Sequence, residues 1–404
     1  MSVTKLATVA VKSVRQGRSQ LHRFARVAGA VAMIAALAAC AQIVPRQGPV
    51  AQGPAGGQAG PSHIDDGVLR VGLLLPLSGK NAALGTAMQR AAQMAIFDTG
   101  TQVELLPRDS GESGNSAGQA AKAVIGQGAD IILGPLFSQS ISPVAQQARG
   151  AGINVVAFGT DANQAGGNVF LLSILPQQTV DRIVAYGVSQ GIRRYALVGS
   201  SSQYTQLIAK SLTEATAKYG VDRPLINLTD PKAADVSSIS QQLQSNQVDA
   251  VLLADTGNRL NIAVSLVRSA NTTARLLGTG QFDDPAVNRQ QDLAGALYAA
   301  PDPSRRADFE SRYAQQFGAP PPRLATLAYD AVALTAALAN QPASGGNPFT
   351  AQALQDPNGF VGLDGIFRFG PNGLVQRGLA VLEAQPNGAV VVEAAPDSFS
   401  GAAF

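Results

Sequence analysis

The chain has 404 residues, with 30 lysines and arginines, 27 aspartates and glutamates, two histidines and one cysteine. His22, Cys40 and His63 all precede residue 68, where the first apolar strand pattern begins. The remaining region therefore lacks the side chains for Ser-His-Asp or Cys-His nucleophilic catalysis and for zinc sites built from histidine and cysteine. A hydrolase built on two carboxylates stays open, because 27 acids always offer candidate pairs, although no spacing singles one out. We expect a protein that is not an enzyme and has no resident metal or cofactor.

The N-terminus has the pattern of an export signal. Six basic residues and no acidic residue precede Val27, and the thirteen residues from Val27 to Ala39 carry no charge. This run is shorter than the about 20 apolar residues of a membrane span and ends in small residues, which indicates a secretory signal. Leu37-Ala38-Ala39-Cys40 resembles the lipobox of bacterial lipoproteins, which implies cleavage before Cys40 and a diacylglycerol anchor on its thiol. The alternatives are a free buried cysteine and an ordinary signal peptide that matches by chance.

Removal of the predicted signal peptide, residues 1–39, changes the charge of the chain. It leaves 24 basic and 27 acidic residues, a net charge of −3, so we expect no nucleic-acid partner. Residues 40–67 contain the lipidated cysteine and a segment rich in Gln, Gly, Pro and Ala, which predicts a flexible tether. The roughly 340 residues that follow suffice for two domains of ordinary size.

From Val68 onward, short apolar runs alternate with helical patterns. The predicted strands are Leu69–Leu75, Val103–Leu106, Asp130–Leu133, Asn154–Phe158, Tyr195–Val198, Leu225–Leu228, Ala250–Ala254 and Arg275–Leu277. The predicted helices are Leu84–Ile96, Ala117–Gly126, a helix starting at Pro143 with Ser142 as its cap, Thr179–Gln190, Gln206–Tyr219, Val236–Ser245 and Leu260–Ala270. This alternation predicts an α/β fold of parallel sheets covered by helices, and its length predicts two similar lobes.

The C-terminal part has a different pattern. Pro371-Asn372-Gly373 and Pro386-Asn387-Gly388 are turn signals, because Asn-Gly supplies the positive φ angles of tight hairpins. They separate three predicted strands, Gly365–Phe369, Leu379–Ala384 and Ala389–Glu393, which predict a small antiparallel finish to one sheet. Elsewhere, Gly79-Lys80 lacks the spacing of a phosphate loop and Gly278-Thr279-Gly280 lacks a third glycine, so neither predicts a nucleotide cofactor.

Four segments together resemble a known family. They are Val71–Gly79 (VGLLLPLSG), Ile132–Ser138 (ILGPLFS), Asn154–Thr160 (NVVAFGT) and Gly362–Phe369 (GLDGIFRF). The resemblance is to type I periplasmic binding proteins related to the branched-chain amino-acid receptors, and it covers nearly all of residues 68–395. It implies two lobes joined by three crossover strands, with a ligand held in the cleft between them. The implied lobes are residues 68–174 plus 300–362 and residues 175–299 plus 363–395.

The resemblance also implies a set of cleft residues. The family's carboxylate-binding hydroxyl corresponds to Ser138, its second loop to Thr160 and Asp161, and its aromatic wall to Tyr204. Ser78, in the first loop after a strand, is a further candidate, since ligands of such sheets bind beyond the carboxyl ends of the strands. Each has a structural alternative: a turn serine, an Asx-turn at Asp161, and simple packing of Tyr204 between the lobes.

One departure from the amino-acid receptors concerns the ligand's ammonium group. Those receptors carry an acid after the strand that corresponds to Arg275–Leu277, whereas this chain has Gln281 in that loop, followed by Asp283. Asp255, after another strand, is an alternative partner. Because a buried ammonium without a counter-charge is costly, a free α-amino acid ligand requires Asp255 or Asp283 to reach it.

A second resemblance lies in residues 72–92 (GLLLPLSGKNAALGTAMQRAA), which are similar to outer-membrane lipoprotein activators of penicillin-binding proteins. Two functions therefore stand: activation of a peptidoglycan-synthesising penicillin-binding protein, or solute capture for the permease of an ABC importer. Both place the protein in the bacterial cell envelope, lipid-anchored and facing the periplasm. Ala41 after the lipidated cysteine favours the outer membrane, with the inner membrane as the alternative.

Overall fold

The computed structural model describes residues 68–229, 236–270, 273–341 and 347–400. The predicted signal peptide, Cys40 and the tether lie outside the described residues. Within the described residues, no helix combines the length and the apolar character that a membrane span requires.

The strands form two larger sheets and one small sheet. They are β1 Leu69–Leu75, β2 Val103–Asp109, β3 Ile131–Leu133, β4 Asn154–Ala157, β5 Val169–Leu171, β6 Tyr195–Gly199, β7 Leu225–Leu228, β8 Ala250–Leu253, β9 Arg275–Gly278, β10 Leu297–Ala300, β11 Phe360–Gly362, β12 Gly365–Phe369, β13 Val375–Arg377, β14 Ala380–Glu383 and β15 Val390–Glu393. The first sheet is parallel, in the order β2-β1-β3-β4-β5. The second has the order β15-β14-β10-β9-β8-β6-β7 and is parallel except at β10–β14 and β14–β15.

Helices cover both faces of each large sheet. They are α1 Ala82–Thr99, α2 Gly114–Ile125, α3 Ser138–Gly150, α4 Pro176–Ser189, α5 Gln203–Lys218, α6 Val236–Ser245, α7 Gly257–Ser269, α8 Pro285–Asn288, α9 Pro303–Phe317, α10 Ala325–Ala339 and α11 Ala351–Leu354. Helices α1 and α10 share one core with the first sheet, while α2 and α3 pack on its other face. The second sheet lies between α6 and α7 on one face and α4 and α5 on the other. This double cover explains the continuous apolar strands, since both strand faces are buried.

The predicted α/β fold class with two helix-covered lobes is confirmed. The chain leaves the core of the first sheet after β5, returns to it after β10, and leaves it again between β13 and β14. Phe367, Phe369 and Val375 still pack in the first core. The lobe limits proposed from the sequence remain a prediction.

The predicted start of the third helix at Pro143 is wrong. Helix α3 begins at Ser138, so Pro143 lies inside it and Ser142 is not its cap. The proline ring packs against two glycines of α2: a Cβ placed on Gly114 would lie 2.9 Å from Pro143 Cγ, and one on Gly118 would lie 3.5 Å from Pro143 Cβ. Packing on these glycines thus accommodates a residue that costs the helix one backbone hydrogen bond.

The C-terminal hairpins are distributed between two sheets rather than one. The turn with Gly373 at φ +75° joins β12 to β13, which form the small sheet with β11. The turn with Gly388 joins β14 to β15 at the edge of the second sheet. The two hairpins do not pair with each other because β12 and β13 pack on the first core. Strands β5, β10, β11 and β13 and helices α8 to α11 were not predicted from the sequence pattern.

Candidate ligand-binding site

Two loops meet at the carboxyl edge of the first sheet. Ser138 begins α3 after β3, and its hydroxyl accepts a hydrogen bond from the backbone N–H of Asp161 after β4, at 3.3 Å. Glycine at position 159 permits this approach, because a Cβ there would lie 2.8 Å from Ser138 Oγ. The residue before α3, Phe137, provides no side-chain cap for the N–H groups of the first turn. A helix start of this kind suits an anionic group such as a carboxylate.

The other candidates of the first sheet differ in their contacts. Thr160 is exposed. Asp161 accepts hydrogen bonds from the backbone N–H of Asn163 at 3.1 Å and from its side-chain amide at 3.0 Å, so its carboxylate stabilises an Asx-turn. Ser78 is exposed and hydrogen-bonds the carboxylate of Asp109. Burial opposes ionisation of Asp109, but this bond and backbone N–H donors hold the pKa of Asp109 below its usual value.

Tyr204 lies near the start of α5, beside the second sheet. It packs against the core that α4 and α5 form on that sheet, and its hydroxyl hydrogen-bonds the side chain of Thr279 after β9. Burial raises the pKa of Tyr204 to about 12, and the bond to Thr279 opposes part of this rise. The phenol therefore stays protonated at physiological pH. Gln281, two residues after Thr279, is exposed.

Asp255 follows β8 and is buried, with 7% of its surface exposed. Its two carboxylate oxygens accept bonds from the backbone N–H of Ser200 at 2.7 Å and from the Ser200 hydroxyl at 2.6 Å. Ser200 directly follows β6, which is adjacent to β8 in the sheet. The pair ties two loops of the second sheet together.

Asp283 is buried and is bound by two arginines. One oxygen accepts from Arg306 Nη2 at 2.8 Å, and the other accepts from Arg323 Nε at 2.5 Å. Arg306 belongs to α9, and Arg323 precedes α10, whose helix packs on the first sheet. Asp283 therefore links the loop after β9 in the second sheet to elements that pack with the first. Its carboxylate is neutralised by these two contacts.

The same cluster contains residues that the sequence analysis missed. Arg323 Nη2 also donates to Asp364 at 2.9 Å, and Arg377 Nη1 lies 3.5 Å from Asp330 Oδ2. Asp330 and Asp364 are both fully buried. An acid within the apolar run of α10 (ATLAYDAVALTAALA) was a visible signal, because a buried acid is rare unless it is paired.

The structure thus joins some predicted site residues and not others. Ser138 and Asp161 are in contact, while Tyr204 and Asp255 bond residues of their own sheet's loops. Within the described residues, no group of three or more acids, histidines or cysteines is arranged to hold a metal ion. The ligand-binding roles of these residues remain predictions.

Comparison with known proteins places the chain in a family. The family model described as periplasmic binding protein matches residues 68–389. The chain therefore belongs to the periplasmic binding protein family. Solved structures with a similar fold include substrate-binding proteins of ABC transporters.

Individual relatives are distant. The Leu/Ile/Val-binding protein BraC3 of Rhizobium johnstonii is 25% identical over 203 residues, which are 47% of this chain and 54% of that protein. The aligned part thus spans about half of that relative. A structure from Rhodospirillum rubrum, assigned to a branched-chain amino acid ABC transporter, is 19% identical with a TM-score of 0.73, covering 80% of this chain and all of the other. A solute-binding protein of R. palustris in complex with benzoate is 19% identical with a TM-score of 0.58, covering 84% and 99%.

Proposed function

We propose that this protein is a lipid-anchored, periplasm-facing regulator that activates a peptidoglycan-synthesising penicillin-binding protein, and that it is not an amino-acid receptor. The proposal rests on the contacts that the acids in the loops of the second sheet already make. Asp283 is neutralised by Arg306 and Arg323, Asp255 is bonded by Ser200, and Gln281 is neutral. To pair its ammonium there, an α-amino acid would have to displace an arginine from Asp283 or approach Asp255, whose two oxygens are already held by Ser200.

The choice of an activator rests on the sequence of β1 and the start of α1. Residues 72–92 are similar to the activator lipoproteins, in which a domain of this fold supports a protein partner. A shared fold does not decide between partner binding and transport, so the distinction comes from the site and from this motif.

The direct test is co-purification of the mature, membrane-anchored protein with a bifunctional penicillin-binding protein, followed by an assay of glycan polymerisation. We expect faster polymerisation when the protein is added. A penicillin-binding protein that neither binds it nor responds to it would refute the activator role.

The lipid anchor is tested separately, because it lies outside the described residues. Cys40→Ser removes the thiol that would carry the diacylglycerol. We expect the variant to lose palmitate labelling and to leave the membrane fraction, since stable attachment depends on the acyl chains. Equal labelling of variant and parent would contradict the assignment.

A second candidate is a receptor that captures carboxylates lacking an ammonium group for an ABC permease. Two observations favour it: the uncapped start of α3 beside the Ser138 hydroxyl, and the similarity in fold to the R. palustris protein bound to benzoate. A carboxylate needs only donors, which this edge of the first sheet offers.

A matched pair of ligands separates the two candidates from an amino-acid receptor. Leucine and 4-methylpentanoate share a carbon skeleton and differ in the ammonium group. A ligand at a hundred times its Kd stabilises the folded state by about 2.7 kcal/mol, which a thermal-shift assay detects. The activator role predicts no shift with either compound, and the carboxylate receptor predicts a shift with 4-methylpentanoate alone that Ser138→Ala reduces. A shift with leucine would overturn both.

A further inference from the structure

A cavity of about 560 Å³ opens on the second sheet's helices, away from the predicted cleft. It lies between α4, α5 and the C-terminal strands, and none of the predicted cleft residues lines it. Its volume is within the range of small-molecule sites, about 300–1,000 Å³. The charged residues that line it are Asp181, Arg182, Glu214, Lys218, Arg377 and Glu393. Arg377 is buried, and its Nη1 lies 3.5 Å from Oδ2 of Asp330.

The cavity exists because the facing sides of the two helices carry small residues. Ala185 of α4 faces the space, as do Ser211 and Ala215, which lie one turn apart on α5. Leu379 adds apolar surface just before β14. These side chains are too small to close the gap between the helices, and they leave a largely apolar floor.

The acids around the cavity differ in how closely they are paired with cations. Lys218 Nζ binds Asp181 at 2.8 Å, and Arg182 Nη2 binds Glu393 at 2.5 Å, so each of these cations is neutralised by one acid. Glu214 has only Lys210, at 3.8 Å, and accepts no hydrogen bond from any described residue. Lys210 does not line the cavity, so among the acids of the lining Glu214 has the weakest ion pair.

Asp181 also has a carboxylate oxygen that can accept a further hydrogen bond. Both Lys218 and the hydroxyl of Tyr219 bind its Oδ2, and among the described residues nothing donates to its Oδ1. Glu214 lies one turn before Lys218 on α5, and Asp181 binds that lysine, so the two acids belong to the same part of the cavity lining. This side of the cavity therefore offers carboxylate oxygens to a donor with several N–H groups.

We propose that this cavity is a second binding site, which takes small primary amines in their ammonium form. The ammonium lies against Glu214 and Oδ1 of Asp181, and the alkyl part covers Ala185, Ala215 and Leu379. A charge-assisted hydrogen bond to a carboxylate is stronger than a neutral one, which favours an amine over an alcohol of the same shape. The site does not depend on a ligand in the cleft or on a protein partner.

Binding at this site should affect residues 375–379, where the chain passes from the first core to the second sheet. Gln178 of α4 donates to the carbonyl of Val375 and accepts from the backbone N–H of Arg377 at 3.2 Å. Arg182 Nε donates to the carbonyl of Leu379 at 2.9 Å. Both α4 side chains also line the cavity, so an occupant alters contacts of residues 375–379.

Hexylamine and 1-hexanol are the probes, used with the chain from residue 68 to the end and titrated by NMR or calorimetry. We expect saturable binding of hexylamine, at least tenfold weaker binding of 1-hexanol, and amide shifts at residues 185, 215 and 375–379. Glu214→Gln should weaken hexylamine binding at least tenfold. Lys210→Gln, which removes the partner of Glu214 outside the cavity, should leave the affinity equal or higher.

Thermal unfolding of both variants serves as the folding control, since both side chains are exposed. Equal binding of amine and alcohol, no saturable amine binding, or amine binding that Glu214→Gln leaves unchanged would each overturn the proposal. A failed penicillin-binding protein assay would not, because the two experiments share no component beyond the chain itself.

Discussion

Three acids and three arginines meet where the loop after β9 approaches α9 and α10, and all of them except the half-buried Arg323 are buried. They are Asp283, Asp330, Asp364, Arg306, Arg323 and Arg377. A buried charge network of this kind contributes little net stability compared with apolar packing, but removing one member leaves an unbalanced charge. We infer that its role is to hold one arrangement of the second sheet's loop relative to the helices of the first.

Asp283→Asn tests this network. The substitution removes the carboxylate that neutralises Arg306 and Arg323, and we expect a loss of about 3–5 kcal/mol in the free energy of unfolding, measured with denaturant. Asp284→Asn is the matched control, because Asp284 is exposed and only caps α8 through the N–H of Ala286. It should cost about 1 kcal/mol or less. Equal losses for the two variants would count against the network.

Asp330 makes the stability depend on pH. Burial, reinforced by the nearby Asp364, raises the pKa of Asp330 to about 7, although Arg377 opposes the rise. A raised folded-state pKa favours the folded protein below the unfolded value near 4, and this contribution is lost as pH rises through about 7. Asp330→Asn cannot ionise and keeps the acceptor for Leu363 N, so its stability relative to the parent should rise by a few kcal/mol between pH 5 and 8.

Asp364→Asn should change the pH dependence of stability in the opposite direction. Burial opposes ionisation of Asp364, but Arg323 and Arg377 hold the pKa of this carboxyl below its usual value. Its ionised form therefore stabilises the fold at neutral pH, and this contribution is lost only at acid pH. Denaturant unfolding across pH distinguishes the two, and a pH-independent difference for Asp330→Asn would contradict the raised pKa.

The close contact between α1 and the end of β1 depends on a glycine, which has no side chain. A Cβ on Gly85 would lie 2.0 Å from the carbonyl oxygen of Pro76. Because of this contact, α1 begins shortly after the loop that carries Ser78. This loop lies at the edge of the first sheet where its candidate site residues are found.

We expect Gly85→Ala to destabilise the fold by about 1–3 kcal/mol, because the backbone oxygen cannot move away without shifting β1. Gly150→Ala, at the end of α3, is the control: nothing lies within 4 Å of its Cβ position, and alanine favours helix. Its effect should be neutral or slightly stabilising. Thermal and denaturant unfolding of both variants gives the comparison, and a tolerated Gly85→Ala would show that the contact is not tight.

The first core is built from two distant parts of the chain. It combines residues 71–175 with residues 327–375, so α10 packs against α1 only after the second sheet has been traversed. The first sheet is therefore not an independent N-terminal domain, despite its consecutive strands.

A fragment of residues 68–174 should fail to fold, because it lacks α10 and exposes the face of the sheet that α10 covers. The chain from residue 68 to the end should unfold cooperatively, since it keeps every described residue. Amide dispersion in NMR spectra and cooperative thermal transitions compare the two. A cooperative transition in the short fragment would refute the argument.

Local pattern alone was sufficient for several features. Strands such as Leu69–Leu75 were predictable because burial on both faces leaves a continuous apolar run, and the Asn-Gly turns were predictable because φ is a local property. The start of α3 was not, because its proline is accommodated by glycines on another helix. Helix α10 was missed, and it is apolar on nearly every side.

Composition and short-range periodicity were enough to predict the α/β class and the order of most strands and helices, and they show that no histidine or cysteine follows residue 67. The contacts of the candidate acids, in contrast, became known only from the folded chain. Asp283 meets Arg306 and Arg323, which are 23 and 40 residues further along the chain, and Asp255 meets Ser200, which is 55 residues before it. Whether a carboxylate is free for a ligand or neutralised by the protein depends on such distant partners, and no local pattern specifies them.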